Sequence, residues 1–193
     1  LAAMGSDGDQ LQVIGSILEV LGDEADDGQL LDIMRAPSTR IVSMTVTEKG
    51  YYLDPATGDL QLQLPAIQAD LANPATPKTI LGLIVRALQH RKAVGLAPFT
   101  VLSCDNLPSN GKRAKAAVVA FAQAVDAELA QWITREVACP CTMVDRITPA
   151  TTDADITNIS AQIGMTDAWP VVTEEFSQWV IEDNFTMGRP DWS

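Results

Sequence analysis

Along the chain, short apolar runs alternate with stretches in which apolar residues recur at three and four positions. Strands and helices are therefore expected to take turns. Leu11–Ile17 is apolar and partly β-branched and reads as a strand; Gln29–Met34 reads as a short helix closed by Pro37. Ile41–Thr47 is rich in β-branched residues and predicts another strand. Glu48–Gly50 then turns the chain, and Asp54-Pro55-Ala56-Thr57-Gly58-Asp59 is dense in turn formers. Thr76-Pro77 is expected to open a helix, with Thr as N-cap and Pro at the first helical position. Ile80, Ile84, Ala87 and Leu88 share one face of that helix, and Gly95 ends it.

Phe99–Ser103 is almost continuously apolar, as in a parallel strand covered on both faces. From Asn110-Gly111 one long helix is expected to run to about Val137, its stripe formed by Ala114, Ala117, Val118, Phe121, Val125, Leu129, Trp132 and Ile133. Thr142–Val144 predicts a strand ending at Asp145. Thr152, Asp153 and Asp155 resemble a capping box with Asp in the usual Glu position. The helix they start buries Ile156, Ile159 and Ile163 and stops at Gly164, and Gln178–Glu182 is a last strand. The pattern is that of an α/β chain with a mostly parallel sheet.

Composition narrows the function classes. With 25 acidic and 13 basic side chains among 193 residues, the formal charge is −12. Such a surface repels phosphate backbones and anionic lipid, so neither nucleic acid nor membrane is an expected partner. The asymmetry is sharpest before Arg35, where Asp7, Asp9, Glu19, Asp23, Glu24, Asp26, Asp27 and Asp32 stand without a Lys or Arg. Their spacing lacks the regular ligand positions of a calcium loop, which leaves a solvated loop and the acidic first turn of a helix. Three cysteines, an odd number, suit a reducing cytoplasm better than a disulfide scaffold. Cys139-Pro140-Cys141 supplies too few ligands for zinc, and His90, the only histidine, suits a helix C-terminus.

In open parallel sheets, ligands bind beyond the carboxyl ends of the strands. Three predicted strands carry polar groups there: Thr47-Glu48-Lys49, Asp105-Asn106 and Asp145-Arg146. One such group would be an ordinary turn or a surface charge pair. Three on one sheet edge suggest a site.

The wording around these groups adds a resemblance. Thr45-Val46-Thr47-Glu48-Lys49-Gly50-Tyr51, Leu102-Ser103-Cys104-Asp105-Asn106-Leu107-Pro108-Ser109-Asn110-Gly111 and Thr142-Met143-Val144-Asp145-Arg146-Ile147-Thr148-Pro149 are similar to successive signatures of one family. That family is the mannitol dehydrogenase/fructuronate reductase group of long-chain, polyol-specific dehydrogenases. Gln178–Phe185 and Gly188-Arg189-Pro190 resemble it too, so the likeness runs from about Val13 onward. Two departures are visible: Lys112 stands where the family usually has His, and Glu174-Glu175-Phe176 replaces Glu-Pro-Phe.

The resemblance implies a Rossmann-like α/β fold, incomplete at both ends, and hydride transfer between a secondary alcohol carbon and NAD. Residues 1–193 would be a partial NAD-binding domain lacking the glycine-rich first βα turn, with the helical catalytic domain absent. Asn106 matches an asparagine of the oxyanion hole, and Asp145 an aspartate of the substrate pocket. Thr47, Glu48 and Val144 would lie near the cofactor. The family's lysine base, with its neighbouring asparagine and histidine, matches nothing in this chain, which alone is expected to be inactive, to bind dinucleotide weakly and to self-associate through open strand edges. The strings Leu102–Asn106 and Pro140–Ile147 and the Asp54–Gly58 turn are nearest to fructuronate reductase, which implies a sugar-acid substrate such as D-fructuronate and D-mannonate. A mannitol or arabinitol 2-dehydrogenase is the alternative, and a non-catalytic α/β module is the alternative of another class.

Overall fold

The computed structural model describes residues 1–5, 10–21 and 27–192, with the backbone alone for Asp27. In chain order its elements are β1 (Ala2–Met4), β2 (Gln10–Leu11), α1 (Asp27–Arg35), β3 (Ile41–Met44), a 3₁₀ turn (Glu48–Tyr51), α2 (Pro65–Ala72), α3 (Ile80–Ala93), β4 (Thr100–Ser103), α4 (Asn110–Val125), α5 (Ala127–Glu136), β5 (Thr142–Asp145), α6 (Asp153–Ile163), β6 (Val172–Glu174) and β7 (Gln178–Ile181). The chain divides into two compact units: Leu1–Val20 with Val144–Trp179, and Leu21–Met143 with Val180–Ser193. Strand β5 pairs with β7, and both strands cross the boundary between the units.

In the first unit β1 pairs in parallel with β6 and antiparallel with β2. Its core is small: Ala2, Ile159 and Val172 are buried, with Leu11 and Ile163 against them. Helix α6 starts in a true capping box. Thr152 N–H donates to the Asp155 carboxylate at 2.8 Å, and Asp155 N–H donates back to Thr152 Oγ1 at 3.2 Å. Hydrogen bonds from Thr152 Oγ1–H (2.7 Å) and then Thr152 N–H hold the Asp155 carboxyl below its ordinary range. Gly164, at φ 71°, ends the helix in the left-handed region that glycine adopts without strain.

The expected strand Leu11–Ile17 is reduced to Gln10–Leu11. Leu1 and Gln12 exchange backbone hydrogen bonds, but from Val13 to Val20 the chain has no regular structure, and Leu18 is 96% exposed. Apolar β-branched sequence makes a strand only where a neighbour supplies hydrogen bonds, and β1 is too short to accompany it further. Of the acidic run before Arg35, Asp7, Asp9, Asp23, Glu24 and Asp26 lie outside the described residues.

The second unit holds the main core. Strands β3 and β4 pair in parallel, Ile41 opposite Thr100 and Met44 opposite Ser103. On the other side of β4, Val101 N–H donates to the Ala138 carbonyl at 3.0 Å. All four residues of β4 are buried, as its continuous apolar sequence requires. Helices α1, α3, α4 and α5 pack around this strand pair through Leu31, Leu81, Ile84, Leu88, Phe121 and Ile133. Arg91 is also buried: its guanidinium donates to the carbonyls of Ala97, Met34 and Ala36 and lies 5.5 Å from the Phe99 ring centroid. It joins the end of α1 to the end of α3.

Two expectations change here. The expected helix at Thr76-Pro77 begins instead at Ile80, with Thr79 as N-cap accepting from Gly82 N–H at 3.0 Å. The reason is Asp70, a buried residue of the unforeseen helix α2. Its carboxylate accepts from Lys78 N–H (2.8 Å), Thr79 N–H (2.9 Å) and Thr79 Oγ1–H (2.6 Å), holding Thr79 extended. The expected single helix from Asn110 to Val137 breaks at Asp126, whose extended backbone ends α4. The Asp126 carboxylate then caps α5 through Glu128 N–H at 2.7 Å. The hydrophobic stripe continues across the break because both helices face one core. Lys115 ties them by donating to the carbonyls of Ile133 and Val137 at the end of α5.

Asp70 serves the Lys78 and Thr79 amides that precede α3. Its replacement, Asp70→Ala, is expected to cost about 2–3 kcal/mol, since charge-assisted hydrogen bonds are lost and buried donors are orphaned. Urea unfolding measures this, and a loss below about 1 kcal/mol would contradict it.

Candidate functional site

Strands β3 and β4 run side by side and end together, so the segments that follow them share one edge of the second unit. After β3, Thr47 precedes the 3₁₀ turn in an extended conformation, with no side-chain cap bond, and Thr47 and Glu48 are both exposed. The turn closes on Tyr51, which is buried. After β4 the chain passes through Cys104 and Asp105 to Asn106.

Asp105 is only 9% exposed. Its carboxylate accepts hydrogen bonds from the Tyr51 hydroxyl and from Ser103 Oγ (3.1 Å), and the Tyr51 and Ser103 hydroxyls lie 2.6 Å apart. Burial, then the hydrogen bond with Asp105, drives the Tyr51 phenol well above its ordinary range, so it remains a neutral O–H donor. The Asp105 carbonyl is held as well, by Leu107 N–H at 2.8 Å and Asn110 Nδ2–H at 2.9 Å. Asn106 grows from a peptide fixed on both flanks, yet its own side chain is exposed. An amide presented this way can donate to a ligand oxygen.

Asn110 holds this edge together. It is wholly buried at the start of α4. Its Nδ2 lies 2.9–3.2 Å from Asp105 O, Thr142 O, Thr142 Oγ1 and Ser103 O, while Oδ1 accepts from Gly111 N–H and Thr142 N–H. Two amide hydrogens are shared among four acceptors, a three-centre arrangement. Strand β4, helix α4 and the start of β5 are thus joined through one side chain. Gly111 allows the approach: a Cβ there would lie 2.4 Å from the Pro140 carbonyl oxygen. Cys139-Pro140-Cys141 therefore packs against α4. All three cysteines are reduced, and burial raises the Cys139 thiol to about 11. Among the described residues no group of three His, Cys, Asp or Glu could hold a metal ion.

Of the expected site residues, Thr47, Glu48 and Asn106 thus stand at the ends of adjacent strands in the second unit. Val144 and Asp145 belong to the first unit as the last two residues of β5, and both are exposed. There Arg146 Nε donates to the Glu174 carbonyl at 3.3 Å, and Ile147 N–H to the Glu174 carboxylate at 2.6 Å. Sequence reasoning missed Tyr51 and Asn110. Asn110 followed by Gly at the head of an apolar helix was the available signal; nothing local marked Tyr51.

The family model for the mannitol dehydrogenase Rossmann domain matches residues 1–193. The chain belongs to that family. Its fold is accordingly a Rossmann-like α/β fold, seen here as short, largely parallel strands between helices. This mannitol dehydrogenase family chain is 50% identical over its full length to the D-mannonate oxidoreductase of Escherichia coli (strain K12), of which it spans 40%. It superposes with a TM-score of 0.94 on the Pseudomonas fluorescens mannitol 2-dehydrogenase solved as a ternary complex with NAD and D-mannitol. That match has 47% identity and covers 99% of this chain and 39% of the other. A D-sorbitol dehydrogenase in substrate-free form matches with TM-score 0.93 and 41% identity, covering 98% of this chain and 40% of the other. The chain thus spans about two fifths of the length of these relatives.

Asn110→Ala would orphan Thr142 N–H and Gly111 N–H at once and would strip a donor from the carbonyls of Ser103, Asp105 and Thr142, the first two keeping Thr142 Oγ1–H and Leu107 N–H. A loss of about 3 kcal/mol or more is expected in chemical denaturation. A loss under about 1 kcal/mol would mean that the β4–β5 join does not depend on this amide.

Proposed function

We propose that the polypeptide carrying this chain is an NAD-dependent oxidoreductase that interconverts a keto sugar acid and its hydroxy acid, of the fructuronate and mannonate kind. The observation that carries the reading is the exposed Asn106 amide on an immobilised peptide at the carboxyl end of β4. As a keto carbon accepts hydride, its oxygen gains charge, and a donor already aimed at that oxygen stabilises the transition state without reorganising. Asp145, exposed at the end of β5, suits a second role, accepting hydrogen bonds from substrate hydroxyls. The high identity to a D-mannonate oxidoreductase supports the sugar-acid form of the reading.

Bound NAD would supply the hydride acceptor. The residues present fit its nucleoside portions: exposed Thr47 and Glu48 offer hydroxyl and carboxylate groups. They do not fit the pyrophosphate. The Lys78 and Thr79 amides just before α3 are served by Asp70, Gly82 N–H by Thr79, and Gly111 N–H at the start of α4 by the Asn110 side chain. No G-x-G-x-x-G string occurs in the 193 residues. A neutral polyol is the second reading, favoured by the equally close fit to a mannitol 2-dehydrogenase.

Asn106→Ala in the complete polypeptide is expected to lower kcat by roughly 10²–10³, leaving NADH affinity within about twofold. D-fructuronate and D-fructose are assayed in parallel. Unchanged turnover would remove Asn106 from the mechanism, and a higher kcat/KM with fructose would favour the polyol reading.

A further inference from the structure

We propose that Tyr51 is a positioning residue for the Asn106 amide, acting through Asp105. The inference rests on the role given to Asn106 above and goes beyond it, because Tyr51 belongs to a different segment and touches no reacting atom.

The geometry is a brace between two loops. Tyr51 ends the turn that follows β3, while Asp105 stands 54 residues later, just after β4. The ring is 1% exposed and packs in the main core, so the hydroxyl is carried by a side chain with nowhere to turn. A buried carboxylate needs donors, and two described side chains provide them to Asp105: Tyr51 and Ser103. Ser103 lies two residues away and moves with the same strand end. Tyr51 is the donor anchored elsewhere.

Asp105 is gripped at both ends. Its carboxylate is held from the β3 side, and its carbonyl by Asn110 and by Leu107 N–H. The peptide that launches Asn106 therefore cannot rotate unless one grip is released. Without the Tyr51 hydroxyl, the carboxylate has one remaining donor and is drawn toward water, and the Asp105–Asn106 peptide follows it. A donor that must meet a developing oxyanion within a few tenths of an ångström is sensitive to that displacement. The brace also ties Asn106 to the turn bearing Thr47 and Glu48, so both strand ends keep one register.

Tyr51→Phe retains the ring and removes only the hydroxyl. In the complete polypeptide it is expected to lower kcat on the order of tenfold, with KM for the dinucleotide within about twofold. In an Asn106→Ala background the same substitution is expected to change kcat by less than about twofold, because the group it positions is gone. An equal effect in both backgrounds overturns the proposal, as does failure of Tyr51→Phe to fold, which would make the hydroxyl a requirement of the core. Amide hydrogen exchange gives a readout independent of turnover. Leu107 N–H, bonded to the Asp105 carbonyl, is expected to exchange on the order of tenfold faster in Tyr51→Phe, with Val137 N–H unchanged. Unaltered exchange at Leu107 overturns the proposal whatever the kinetics. If Asn106→Ala alone leaves turnover intact, the functional reading fails, and exchange at Leu107 still decides whether the brace exists.

Discussion

The second unit depends on how buried polar groups are satisfied where β4 ends, and the Asn110 side chain does most of that. A parallel strand buried on both faces delivers its last carbonyls into the interior, where each needs a donor. Asn110 approaches those of Ser103 and Asp105 and, on the other side, both backbone groups of Thr142. An apolar residue there would leave Gly111 N–H of α4 and Thr142 N–H of β5 unmet at once. A charged one would set a full charge against carbonyls or amides. A neutral amide, with donors on one atom and an acceptor on the other, is the side chain that fits both demands.

From that constraint the character of the edge follows. Polar residues after β4 divide into those used internally and those left outward. Asp105, Asn110 and Ser103 are buried and committed to partners, whereas Asn106 projects from the same loop into solvent. Exposure alone would say little, since exposed asparagines are common on loops. What distinguishes Asn106 is that the peptide before it is immobilised by side chains from the β3 turn and from α4. Tight backbone fixation beneath an exposed amide has a cost in buried polar groups, and it suits a side chain that must meet a ligand atom in one geometry.

The parts legible in the sequence were those written in local pattern. The β-branched run of β3, the apolar run of β4 and the Thr152–Asp155 capping box each carry their signal within a few residues. Asn106 and Asp145 were singled out for the same reason, since both sit in short strings that resemble the family's. Strands β1 and β6, of three residues each, are too short to show a period and exist because they pair with each other. Helix α3 starts at Ile80 because Asp70, nine residues before Thr79, reaches its amides. Arg91 looked like one of several cations in a last helical turn, yet three carbonyls from other segments and an aromatic face hold it inside. Tyr51 and Asn110 belong to the same class: what they do depends on residues 32 to 54 positions away.

Glycines at helix starts carry the last step. In dinucleotide-binding folds, a glycine near the start of a helix after a strand is commonly read as making room for phosphate. Gly82 and Gly111 stand near the starts of α3 and α4, and both make room for the protein itself. A Cβ on Gly82 would lie 2.3 Å from the Asp70 carboxylate, and one on Gly111 would lie 2.4 Å from the Pro140 carbonyl. An internal carboxylate already serves the backbone amides before α3, and an internal amide fills the start of α4. Positive helix ends that are satisfied in this way have little left for an incoming anion. The ligand-facing capacity of the second unit's edge therefore rests on outward side chains, with Asn106 the one held most firmly, rather than on helix dipoles.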